Sequence, residues 1–111
     1  MATLDFDLTT IRDGDGSIQI VVRGELDLGS SERLEAALLQ AGESSLLVDL
    51  RGLTFMDSTG VRTLLQATED AGREGRELRF LVPTDGDARM TLIETGIVAL
   101  LPLVDDAGAG R

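Results

Sequence analysis

A chain of 111 residues with 42% hydrophobic residues has the length of one domain and can bury one modest core, which 3 Phe and no Trp or Tyr leave to Leu, Val, Ile and Ala. A net charge of −10 is the opposite of what a phosphate backbone attracts, so no direct nucleic-acid role is expected. With no His, no Cys and all 10 basic residues Arg, the chain lacks Ser-His and Cys-His nucleophile pairs, thiolate or imidazole zinc ligands, catalytic lysines and disulfides.

The first residues, "MATLDFDLTT", carry acids and lack the apolar core of a signal peptide; no apolar run approaches the roughly 20 residues of a membrane span. A cytoplasmic protein with no membrane partner is expected. Leu4, Phe6 and Leu8 alternate with Asp5, Asp7 and Thr9, the period of a half-buried strand with one wet face, suited to a sheet edge. Turn residues "DGDG" follow at 13–16, then "SIQIVVRG" with Ile18, Ile20 and Val22 on one face; together these predict a hairpin. Asp5, Asp7, Asp13 and Asp15 read as a solvated acidic face.

In "GELDLGSSERLEAALLQAG" the period changes. Leu34, Ala37, Leu38 and Ala41 form a stripe, so a helix is predicted over 31–41, with Ser30 or Ser31 as N-cap and Gly42 as its stop. The unbroken run "SLLVDL" predicts a strand buried on both faces and hence a strand, helix, strand crossover. Asp57-Ser58-Thr59-Gly60 then precedes a second helix with Val61, Leu64, Leu65 and Thr68 at helical spacing, ended by Gly72 or Gly75. "ELRFLVP" gives a strand over 78–82, stopped by Pro83. A third helix is predicted over 87–95, with Ala88, Leu92 and Thr95 on one side and Arg89 and Ile93 beside them, closed by Gly96. "IVALLPLV" admits a short strand or a helix, and 105–111 reads as a disordered tail after a domain of residues 1–104. The order β-β-α-β-α-β-α-(β) is a small mixed sheet flanked by helices, an α/β or α+β domain.

The chemistry concentrates at 57–60. Asp57, Ser58 or Thr59 could each satisfy free backbone donors at a helix start, so simple capping explains any one of them. Three polar residues exceed that need, and Gly60 inside the first turn weakens a helix by roughly 1 kcal/mol relative to Ala, which suits a close approach by another backbone. A serine at a helix N-terminus also suits phosphorylation, and Arg62 follows four residues later, within helical pairing distance of Ser58. Asp27 alone reads as a turn residue. Asp49 reads as a strand-end carboxylate that bonds backbone amides, or paired with Asp57 as the two carboxylates of a small hydrolase.

"VVRGELDL" at 21–28 and "LLVDLRGLTFMDSTGVRTLL" at 46–65, with the β-α-β-α order after them, resemble the STAS domains and, within them, the bacterial anti-sigma-factor antagonists. The resemblance covers about residues 4–104. It implies a non-enzymatic partner switch in transcription regulation, free of cofactor and metal. The antagonist, a monomer when free, binds an anti-sigma factor that is also a serine kinase; phosphorylation ends the contact and a metal-dependent serine phosphatase restores it. On this resemblance Ser58 matches the phosphoacceptor, Asp57 the acid before it, and Thr59 and Gly60 the hydroxyl and glycine after it. Asp27 matches an acid on the neighbouring loop. Arg62 stands where many members have a small residue, and so bears on partner choice. A STAS scaffold or transporter-associated adaptor that leaves Ser58 as a cap is the alternative.

Overall fold

The computed structural model of the chain describes residues 6–42 and 44–104. Gly16, at φ +93°, takes the left-handed conformation that the hairpin turn requires, and strands β1 (Phe6–Arg12) and β2 (Ile18–Leu26) pair antiparallel around it. Leu4 and Asp5 lie outside the described residues, as does the tail expected over 105–111.

From β2 the chain crosses through α1 (Leu28–Ala41) to β3 (Leu46–Met56), and through α2 (Ser58–Glu74) to β4 (Leu78–Leu81). The sheet order is β1-β2-β3-β4, with β3 parallel to both neighbours. Both crossovers advance in the same direction, so one handedness puts α1 and α2 on the same face, where they pack against each other. That face is apolar because the register aligns Ile18 with Leu46 and Leu78, and Ile20 with Val48 and Phe80. All six are buried, each contributing roughly 1.5–3 kcal/mol by removal from water. The third helix, α3 (Gly86–Glu94), packs on β3 through buried Ala88 and Leu92.

Several boundaries differ from the sequence expectation. Helix α1 begins at Leu28, three residues before the predicted start, and its N-cap is Asp27, because an Asp carboxylate reaches the free amides that neither Ser30 nor Ser31 is placed to cap. Strand β3 runs on to Met56, past the expected end at Leu50. Two register shifts, between Val21 and Arg23 and between Gly24 and Glu25, let its 11 residues pair with the 9 of β2. The buried face of α2 is rotated relative to the predicted stripe: Leu64 is buried as expected, but it is joined by Gly60, Thr63, Ala67 and Ala71, while Val61, Leu65 and Thr68 are only half-buried. Gly75, left-handed at φ +70°, ends α2, and Gly72 lies inside it. In α3, Ile93 is exposed, and Thr95, expected on the buried side, is an exposed C-cap whose hydroxyl donates to Thr91 O at 2.7 Å. The segment after α3 takes both of its alternatives in turn. A 3-10 turn spans Ile97–Ala99, and Leu103 then forms a parallel bridge with Phe80 at the outer edge of β4.

Candidate functional site

Leu26 and Met56 end β2 and β3 as a buried register pair, and each strand leaves the sheet through an aspartate that caps the next helix. The Asp57 carboxylate accepts from the backbone N–H of Thr59 at 2.9 Å and of Gly60 at 3.2 Å. The Asp27 carboxylate accepts from the Ser30 N–H at 3.2 Å, and the Asp27 N–H donates back to Ser30 Oγ at 2.9 Å, a reciprocal capping box. Those bonds, the Ser30 backbone amide first and its hydroxyl second, hold the Asp27 carboxyl below its ordinary range. Two helix starts therefore stand side by side, tied by a bond from the Asp57 N–H to Leu26 O at 3.2 Å.

Gly60 makes that closeness possible. A Cβ there would lie 2.7 Å from Met56 Cγ and 2.8 Å from Leu26 O, so the backbone approach that the sequence suggested is made by the chain's own β2. Thr59 is half-buried, and its carbonyl accepts from Thr63 Oγ1 at 3.1 Å.

Ser58 is different. It is the first residue of α2, it is exposed, and its hydroxyl has no hydrogen-bond partner among the described residues, since Asp57 already makes the cap. Arg62 lies one turn on, also exposed, with no ion pair among the described residues. In α1 the residue equivalent to Ser58 is Leu28, which is 66% exposed, and Phe55, just before the β3 end, is 41% exposed. Neither stood out in the sequence. The signal for Leu28 was its position directly after a capping Asp, where a side chain points away from the core. The structure thus brings Asp27, Asp57, Ser58, Thr59 and Gly60 to one edge, with Arg62 on the adjoining turn and with two exposed apolar residues, Leu28 at the start of α1 and Phe55 near the end of β3, on the elements that form it.

Asp49 is not part of this edge. Its carboxylate accepts from Arg51 Nε at 2.9 Å, from an Arg51 terminal nitrogen at 2.8 Å and from the Arg51 backbone amide at 3.0 Å. The Arg51 side chain is the main reason its carboxyl is held below the ordinary range, against the opposing effect of burial. Eight residues of extended chain separate it from Asp57, on the order of 25 Å at ~3.3 Å per residue. Working carboxylate pairs in hydrolases of the glycosidase type sit roughly 5–10 Å apart, so the Asp49–Asp57 dyad is ruled out by geometry. Of the acids of β1 and its turn, Asp13 and Asp15 bond Ser17 at the opposite end of β2, and Asp7 is paired with Arg23 at 3.7 Å, three residues before the end of β2. Among the described residues no three His, Cys, Asp or Glu gather as metal ligands, and no helix is long and apolar enough to cross a membrane.

A family model described as "Mlab, STAS domain" matches residues 9–102. Among solved structures, an anti-sigma factor antagonist from Mycobacterium paratuberculosis shares 27% identity and a TM-score of 0.75, over 93% of this chain and 89% of that one. The anti-sigma factor antagonist SpoIIAA in its unphosphorylated form shares the fold at 21% identity, with a TM-score of 0.71 over 93% of this chain and 92% of that one. The Bacillus cell fate determinant SpoIIAA in its phosphorylated form does so at 20% identity, with a TM-score of 0.66 over 93% and 96%. The comparison with curated proteins returned no match.

Proposed function

The chain belongs to the STAS domain family, and on that premise we propose that it is a cytoplasmic anti-sigma-factor antagonist that docks through the edge around Ser58 and is switched off by phosphorylation of that serine. The partner is a protein that acts both as anti-sigma factor and as serine kinase, and its capture frees the sigma factor. The observation that carries this reading is the Ser58 hydroxyl: exposed, without a hydrogen-bond partner among the described residues, and relieved of capping by Asp57. Leu28 and Phe55 supply the apolar contact that a protein partner would cover.

In the switching step Ser58 Oγ attacks the γ-phosphorus of ATP held by the kinase. The Oγ–P bond forms, the bond from that phosphorus to the β,γ-bridging oxygen breaks, ADP leaves, and the hydroxyl proton passes to a base of the kinase. A serine phosphatase reverses the state by hydrolysis, returning the hydroxyl and releasing inorganic phosphate. The phosphate adds roughly −1.5 to −2 charge beside Asp57, at a surface facing the nucleotide phosphates of the kinase. Two unit charges about 4 Å apart repel by about 4 kcal/mol at an effective dielectric of 20, close to a thousandfold in affinity. Locally the same charge favours a helix N-terminus by roughly 0.3–1 kcal/mol, so the domain stays folded while the contact fails.

The test is intact-mass analysis with site mapping after incubation with ATP and each candidate kinase of this type. One phosphate on Ser58, absent in Ser58→Ala, is the expected result. No modification by any of them would overturn the switch and leave a fixed adaptor with an idle Ser58.

A further inference from the structure

We infer that Arg62 is the counter-ion of a phosphoserine at position 58, so that modification closes an ion pair along α2 and withdraws this arginine from the docking edge. The inference rests on the phosphorylation reading above and adds to it the residue that sets how the phosphate is held.

The usual partners of an anion at a helix N-terminus are the free backbone amides. In α2 most of these are already engaged: the amides of Thr59 and Gly60 donate to Asp57 and that of Val61 donates to Asp57 O at 3.1 Å, which leaves the N–H of Ser58 itself. One amide carries only a partial charge, so a phosphate on Ser58 must find a full positive charge in a side chain. The other acids of the edge, Glu25, Asp27 and Asp57, only add to its burden. Among the described arginines, Arg23, Arg51, Arg73, Arg76 and Arg79 each hold a carboxylate, Arg33 lies over the Phe6 ring and Arg89 donates to Pro83 O. Arg62 is exposed, has no ion pair among the described residues, and follows Ser58 by four positions on the same helix. Residues so spaced have Cβ atoms roughly 5–6 Å apart, and long helical side chains lean back toward the N-terminus, which brings the guanidinium to the phosphate oxygens. A planar guanidinium can bind two of those oxygens at once.

Before modification, then, Arg62 is a free cation at the rim of an otherwise acidic edge, available to a carboxylate of the partner. After modification it is occupied. The edge gains the same charge either way, but the pair fixes where that charge sits and removes one attractive contact.

The experiment uses the full chain with phosphoserine installed at position 58 during translation, which needs no kinase, and follows the phosphate by 31P NMR from pH 4 to 9. The second phosphate pKa in the wild-type chain is expected to lie roughly 0.15–0.4 unit below that in Arg62→Gln, with Arg62→Lys between them and the difference shrinking in 1 M salt. Unmodified Arg62→Gln should melt with the unmodified wild type, which keeps the comparison free of folding effects. Equal phosphate pKa values in wild type and Arg62→Gln would overturn the pair. A shifted pKa together with Ser58 untouched by every kinase would uphold the pair and overturn the switch, so the two failures are distinguishable.

Discussion

Asp49 and Asp57 carry the same side chain and stand eight residues apart, yet their surroundings give them separate roles. Asp49, with its side chain 10% exposed, is held ionised by Arg51, and because its folded pKa lies below the ordinary carboxylate value of 3.8, the stability it contributes is present above that pH. It is lost as pH falls through the folded pKa. Asp49→Asn should therefore flatten the fall of the urea midpoint on acidification from pH 5 to pH 2; an unchanged acid limb would mean that the Arg51 pair contributes nothing to folding. Asp57 works through geometry, its carboxylate spanning two amides, and so its charge is dispensable where its shape is not. Asp57→Asn should keep the fold, since Asn caps as well as Asp, while Asp57→Ala should lose about 1 kcal/mol, or about 4 °C in Tm for a domain of this length. Equal loss in both variants would show that the cap depends on charge after all.

Between the residue and the fold lies the junction of α2 with the strand ends, where two glycines of the same helix give opposite expectations. Ala is intrinsically better than Gly inside a helix by roughly 1 kcal/mol, so Gly72→Ala, whose new methyl meets nothing within 4 Å, should raise stability by up to about that amount. At Gly60 the new methyl would meet a backbone oxygen, Leu26 O, at 2.8 Å, which cannot move without shifting β2; overpacking of this kind costs roughly 1–3 kcal/mol, more than the helix gains. Gly60→Ala should thus lower the urea midpoint while Gly72→Ala raises it, and a gain at both sites would mean that α2 does not press on β2. The three helices, the four strands and their order were legible in the sequence, because apolar spacing switches plainly between the two periods at Leu34, Val48 and Leu64. The start of α1 was not: Asp27 with Ser30 forms a capping box without the Glu or Gln that usually marks one, so the later serines looked like the cap. The end of β3 was hidden by its two bulges, which break the alternation that marks a strand. Within the candidate site, motif spacing placed the run from Asp57 to Gly60, but the exposure of Leu28 and Phe55 depends on which side chains the core can reach, a tertiary fact that no local pattern carries.

At the scale of the whole molecule, the question is whether the switch acts through the site or through the overall field. The chain already carries a net charge of −10, so a phosphate changes the total by about a fifth, and added repulsion toward any acidic partner would arise wherever the charge were placed. The fold separates these possibilities. Ser58 and Gln40 are both exposed, but Gln40 sits near the far end of α1, twelve residues from Leu28 and hence roughly 18 Å along the helix axis. That distance is about twice the screening length of about 8 Å at physiological salt. Ser58→Asp and Gln40→Glu each bring the net charge to −11, one at the edge and one remote from it. If the edge is the switch, Ser58→Asp should weaken partner binding tenfold or more, equivalent to about 1.4 kcal/mol, while Gln40→Glu leaves the affinity unchanged and both variants stay folded, with Tm moved only by the roughly 0.3–1 kcal/mol that a charge at a helix end supplies. Titration calorimetry at two salt concentrations reads both quantities. Equal weakening by the two substitutions, fading together as salt rises, would assign the effect to the field of the whole molecule and not to the docking edge, because only a long-range interaction is indifferent to 18 Å of helix.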